Sequence, residues 1–263
     1  MASATPLQIP AERLAGLRRY NLIAGVFHLV QAIAIIALSN DFALPVSANY
    51  LLDAPVPGAR FESVLLFEFP IAIGVAIFSL LSALAHFWIV GPGFSRYANN
   101  LANKRNIARW VEYAISSTLM IVLISLINAV WDVVGLVAIA GANVAMILFG
   151  WLQEKYEEPG KGKGGLLPFW FGCIAGIVPW IAMFLLLFSP GSSSEAPGFV
   201  YGIVFTLFLF FNSFALVQWL QYKEVGRWKD YLVGERTYIT LSFVAKSALA
   251  WQIFAGVLAT SSL

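Results

Sequence analysis

Seven stretches of this sequence are apolar over the thickness of a bilayer, which leaves the chain little choice but to fold inside a membrane. They are Tyr20–Leu38, Val64–Gly91, Ala108–Val130, Val133–Leu152, Leu166–Phe188, Gly198–Tyr222 and Arg236–Thr260. A helix rising about 1.5 Å per residue needs about 20 residues to cross a hydrocarbon core of about 30 Å. Charged residues make up only 11% of the 263, where a soluble domain carries about a quarter. The expected architecture is all-α, a single seven-transmembrane-helix bundle over residues 1–263. Spans three and four are separated only around Trp131-Asp132 and must form a tight antiparallel pair. Pro92-Gly93, Pro159-Gly160, Pro190-Gly191 and Pro197-Gly198 mark other helix ends. The apolar run from Tyr20 is followed by Asn40-Asp41-Phe42 and not by a small-residue cleavage site, so the first span reads as a retained helix.

Several function classes drop out early. A net charge of +2 without a basic run gives no footing for nucleic acid. A lone cysteine, Cys173, excludes an intrachain disulfide and any multi-cysteine metal site. No internal repeat of the transporter kind is visible.

Basic residues set the direction of the bundle. Arg13, Arg18 and Arg19 precede the first span; Arg96, Lys104, Arg105 and Arg109 lie between or beside spans two and three. Lys155, Lys161 and Lys163 follow span four, and Lys223, Arg227, Lys229 and Arg236 sit between spans six and seven. These 14 of the 16 Lys and Arg residues fall on one side, against Arg60 alone on the other. The N-terminus is therefore expected in the cytoplasm and the C-terminus outside. The external connection Ser39–Ser63 has β-prone pieces, Phe42-Ala43-Leu44 and Asn49-Tyr50-Leu51-Leu52, that can form a small β-hairpin.

The sixteenth basic residue, Lys246, lies inside the last span. An amine at mid-membrane costs roughly 2.5–3.5 kcal/mol on insertion scales and needs a partner or a purpose. It is either half of a structural ion pair or an amine able to form a Schiff base with an aldehyde. Helix rises place Lys246 roughly 15 Å and Glu112 roughly 11 Å from the same face, within reach of a lysine side chain. Glu112 is thus the natural counterion; a pairing with Arg109 one turn away is the other reading, and the two are compatible, since Arg109 can help hold Glu112 ionised. His28, His86 and Ser82 lie at comparable depths and read as either packing residues or a proton-accepting polar network. Two histidines and a glutamate on three helices form no recognisable metal set. Trp180, Phe208, Phe210, Phe211, Phe214, Trp219 and Trp251 can wall an apolar slot or simply pack. On the external side Glu68 is the one expected membrane-depth carboxylate, near the outer end of span two, so the polar path is one-sided. A pump needs titratable groups on both sides of its gate.

The segments NLIAGVFH (Asn21–His28), RWVEY (Arg109–Tyr113), MILFGWLQEKY (Met146–Tyr156), LPFWFGCIAGIVPW (Leu167–Trp180), FFNSFALV (Phe210–Val217) and VAKSALAWQ (Val244–Gln252) resemble heliorhodopsins through nearly the whole chain. The resemblance implies a rhodopsin-like bundle with inverted topology and all-trans retinal held as a protonated Schiff base on Lys246, with Glu112 its counterion. It further implies His28, His86, Ser82 and Ser242 in a cytoplasmic-side polar network, and a retinal pocket including Met146, Trp180, Phe211, Gln218 and Trp251. A photoreceptor with a slow photocycle, a homodimer in the lipid membrane and an unknown cytoplasmic signalling partner are implied too. A light-driven proton transporter or channel is the rival; no nucleophile–base set suggests an enzyme. Protease added outside intact cells is expected to spare the leader around Arg13; external cleavage there would reverse the orientation.

Overall fold

The computed structural model describes residues 6–157, 165–188 and 192–260, with side chains to residue 256. Lys161, Lys163, Pro159-Gly160 and Pro190-Gly191 lie outside the described residues. Seven long apolar helices build the bundle: α1 (Ala11–Ala37), α2 (Ile71–Val90), α4 (Ile107–Ile127), α5 (Val133–Tyr156), α6 (Leu167–Phe188), α7 (Gly198–Tyr222) and α8 (Tyr231–Thr260). A short helix α3 (Phe94–Ala102) lies between α2 and α4, and a 3-10 turn, Gly226–Lys229, precedes α8.

The first helix starts at Ala11, nine residues before the expected Tyr20, and α5 runs on to Tyr156; three further differences from the sequence reading bear on the site or the hairpin. Val64–Pro70 is not helical. It belongs to strand β2 (Phe61–Pro70), which pairs antiparallel with β1 (Ala43–Leu51). Proline lacks the amide a helix interior needs and suits a helix start, so α2 begins just after Pro70. Glu68 consequently sits exposed in β2 opposite Pro45, not at membrane depth in a helix. The last helix starts at Tyr231, five residues before Arg236, and so takes Glu235 into its first turns. The second-to-third connection holds the unexpected α3, whose Tyr97 and Leu101 are fully covered.

The hairpin is fastened to the bundle. Ser47 N–H donates to the Trp131 carbonyl at 2.9 Å, and Asn49 Nδ2 donates to Asp132 Oδ1 at 3.3 Å. Asp132 also caps α5, its Oδ2 accepting from Gly135 N–H at 3.0 Å, which satisfies one of the orphan donors at a helix start. The tight α4–α5 turn uses Ala129 in the left-handed region, at φ 62°.

The interior divides along its length. Toward the hairpin it is apolar: Val75, Phe78, Ile121, Leu123, Ile124, Met183, Ile203, Leu207 and Leu249 close-pack there. Toward the other end, where the described loop Lys and Arg residues other than Arg60 gather, a smaller cluster of Leu17, Ala24, Ile89, Tyr97, Leu101 and Leu232 encloses buried Asn21, Asn106, Arg109, Glu154 and Glu235. Outward faces carry apolar residues such as Ile33, Val137, Ile174 and Leu209, each at least 60% exposed, as lipid contact requires. Replacing Asp132 with alanine removes both the α5 cap and a hairpin tie. We expect a loss of about 1 kcal/mol, read as a lower melting temperature in micelles together with faster amide exchange in β1; unchanged exchange would sever the hairpin from the cap.

Candidate functional site

Lys246 stands in mid-α8 with its side chain 3% exposed. Its Nζ donates to Glu112 Oε1 at 2.6 Å and to Ser242 Oγ at 2.9 Å. Ser242 is one turn back on the same helix, where i and i+4 side chains meet. Ser82, from α2, donates to the same Glu112 oxygen at 2.7 Å. The depth estimate from helix rise thus brings the right pair together. Charges this far from water need such closeness, because removing one partner leaves the other uncompensated.

Beside the amine lies a cavity of about 150 Å³, walled by Trp110, Tyr113, Met146, Trp180, Phe211 and Phe214, with Gln218, Ser242 and Lys246 also on its surface. Trp180 meets Phe211 edge-on at 5.4 Å, and Gln218 Nε2 is held by the Gly150 carbonyl at 3.2 Å. Gly150 matters for its missing side chain. A Cβ there would run into the Trp110 ring, so glycine lets α4 and α5 close at this level. Of the other expected wall residues, Phe208 packs behind Trp180 at 5.3 Å without lining the cavity. Phe210 and Trp219 also stay off its surface. Trp251 does not join it: it is 44% exposed and rests on Phe254 at 5.9 Å. Five residues after Lys246 on a helix of 3.6 per turn, its side chain points away from the amine's face.

The histidines come together. The His28 and His86 rings stack at 5.8 Å, 9° from parallel. His86 Nδ1 lies 2.8 Å from Asn21 Oδ1, whereas neither nitrogen of the fully buried His28 meets a hydrogen-bond partner among the described residues. Arg109 does not pair with Glu112. Its guanidinium turns the other way, to Glu154 Oε1 at 2.7 Å and Glu235 Oε2 at 2.8 Å. Around this trio Tyr231 donates to Glu154 at 2.6 Å, Tyr97 to Glu235 at 3.0 Å, and Asn106 Nδ2 to Glu235 at 2.8 Å. The Asn106 backbone N–H and the Trp110 indole N–H complete the Glu154 shell. Sequence reading missed Glu154 and Glu235 because both stand at helix ends beside basic residues, where a solvated loop is the ordinary expectation.

The heliorhodopsin family model matches residues 17–258. The chain belongs to the heliorhodopsin family. Family membership makes it a multi-pass, retinal-binding, light-responsive protein of a photoreceptor family not known as enzymes. Among curated proteins no sequence matches. In structure the chain is similar to the transmembrane domain of Salpingoeca rosetta rhodopsin phosphodiesterase, with TM-score 0.62 and 15% identity over 92% of this chain and 83% of that one. It is also similar to a light-driven proton pump from Leptosphaeria maculans, with TM-score 0.60 and 15% identity over 97% and 98%. At such identities the likeness is one of fold.

The heliorhodopsin cofactor suits these residues: a buried amine and its carboxylate close one end of an apolar, aromatic-walled cavity. Replacing Arg109 with glutamine would leave Glu154 and Glu235 without their shared cation. We expect a loss of about 3–5 kcal/mol, read as a large drop in melting temperature; a near-wild-type value would mean the trio is not closed to water.

Proposed function

We propose that this heliorhodopsin is a light receptor that holds all-trans retinal on Lys246, with Glu112 as counterion. One observation carries the reading: the 2.6 Å contact between Lys246 Nζ and Glu112 at the end of the aromatic cavity. Bound retinal supplies a polyene that absorbs visible light and changes shape when it does. The protein's part is to fix both ends of the cavity. Ser82 and Ser242 keep the amine and carboxylate in register, which holds a positive charge on the nitrogen in a low-dielectric interior. Trp180, Phe211, Phe214 and Met146 would confine the polyene, and Gln218 would add a polar group tied to α5.

A receptor that does not pump is favoured by the distribution of charge. From Lys246 toward the hairpin, the spans carry no Asp, Glu, Lys, Arg or His among the described residues. The space is filled by Phe78, Ile121, Ile124 and Leu249. Among the described residues, a proton released from the nitrogen has Asp, Glu or His company within the spans only in the other direction, past His86 and Asn21. Transport across a gate needs exchangeable groups on both sides. The one-sided charge count argues that this polar end faces the cytoplasm. A slow photocycle, pairing with a second copy in the membrane and a cytoplasmic partner reading the polar end complete the proposal.

Adding all-trans retinal to the expressed protein is expected to produce a visible absorption band that Lys246→Ala abolishes. Glu112→Gln should move the band to longer wavelength or bleach it. A band that survives loss of Lys246 would refute the attachment site, and sustained light-driven pH changes in vesicles would refute the non-pumping role.

A further inference from the structure

The Arg109–Glu154–Glu235 trio has no part in holding the amine, yet it is buried throughout, each residue at most 6% exposed. Its charges do not balance. Two carboxylates share one guanidinium, so the closed cluster is one positive charge short when both acids are ionised. The two carboxylates are not equivalent. Each carboxylate oxygen accepts about two hydrogen bonds. Glu154 accepts four donors: Arg109 and Tyr231 on Oε1, the Asn106 N–H and Trp110 on Oε2. Its shell is complete. Glu235 accepts three: Tyr97 and Asn106 on Oε1, and Arg109 alone on Oε2. Among the described residues nothing fills the second lone-pair direction on Glu235 Oε2.

Glu235 also faces the amine's end of the bundle, and Glu154 does not. A cavity of about 30 Å³ is lined by Glu112, Ser242, His86, Asn21, Arg109 and Glu235. That is room for one or two waters, since a water needs at least about 10–15 Å³ and several polar partners. A hydrogen-bonded string borders it: His86 Nδ1 at Asn21 Oδ1 (2.8 Å), Asn21 Nδ2 to Tyr97 Oη (3.4 Å), Tyr97 Oη to Glu235 (3.0 Å). Burial, then the neighbouring Glu235 charge, pushes the Tyr97 phenol well above its ordinary range, so Tyr97 remains a donor aimed at that carboxylate.

We propose that Glu235 is the terminal acceptor of the proton that leaves the Lys246 nitrogen, an assignment that rests on the light-receptor reading above. The N–H bond at the nitrogen breaks and an O–H bond forms at Glu235 Oε2, through waters in the small cavity, with no change of oxidation state. The groups facing Glu235 are Tyr97 from α3, Arg109 from α4, Glu154 from α5, and Tyr231 and Tyr238 from α8. His86 from α2 and Glu112 lie across the cavity. Protonation brings the trio to neutrality. It also weakens the Arg109–Glu235 tie between α4 and α8, the helices that carry Glu112 and Lys246.

Light-minus-dark infrared spectra of the retinal-loaded protein in membranes test this. We expect light to raise the carbonyl stretch of a newly protonated carboxylic acid, lost completely in Glu235→Gln and kept in Glu154→Gln. Glu235→Asp, which keeps the acid, should shift the stretch and serves if the glutamine variant does not fold. Tyr97→Phe should shift it as well, through loss of one donor. A stretch unchanged by Glu235→Gln or Glu235→Asp would overturn the assignment while leaving the receptor reading intact. Failure of the wild-type protein to form a visible pigment would instead defeat the receptor reading itself.

Discussion

A positive charge cannot stand alone in the middle of a membrane, and the position of Glu112 beside Lys246 answers that constraint. The pair makes the amine tolerable at 3% exposure and ties α4 to α8 near mid-depth. Ser82 and Ser242 join to hold it, and Tyr113 lies beneath, its ring 5.3 Å from the ammonium. Among the described residues, the charged groups and histidines in the spans near the amine lie at its level or toward the basic end, and the half toward the hairpin is mostly close-packed aliphatic and aromatic side chains.

The same constraint appears at the basic end in a different form. Arg109 bridges two carboxylates from α5 and α8, with Tyr97 supplied by α3. Here the solution is a network of short hydrogen bonds, complete around Glu154 and open at Arg109 Nε and Glu235 Oε2 among the described residues. Asn106 illustrates the economy of the arrangement. Its Oδ1 accepts from the Arg109 backbone to cap α4, its own N–H reaches Glu154, and its Nδ2 reaches Glu235.

Much of this was legible in the sequence, and what was not has identifiable physical causes. Hydropathy marks seven spans because each must be apolar for the length of a bilayer, and that requirement overrides local propensity. Helix rise puts Lys246 and Glu112 at comparable depth, since depth along parallel helices is a one-dimensional quantity, but which helices face each other is not contained in it. Side-chain direction is harder. Trp251 satisfied composition and motif but faces away from the cavity, and Arg109 lay one turn from Glu112 yet turned to partners on other helices. Those partners, Glu154 and Glu235, sit next to Lys155 and Arg236, so their charge looked solvated. What buries them comes from elsewhere in the chain: Arg109, Trp110 and Tyr231 close over Glu154, and Arg109 with Tyr97 of α3, a helix too short and polar to register as a span, closes over Glu235. Val64–Pro70 is a further case: an apolar run can be strand or helix until Pro70 decides where the helix starts.

The hairpin gives the bundle a mechanical polarity. β1 is bonded to the α4–α5 turn and β2 runs directly into α2, so one small sheet straps the ends of three membrane helices at the same level. At the opposite end, α4, α5 and α8 are held by the charged side chains of Arg109, Glu154 and Glu235. The backbone lacing is indifferent to charge, whereas the side-chain latch is made of it, so a change of one proton acts on the second fastening and leaves the first untouched.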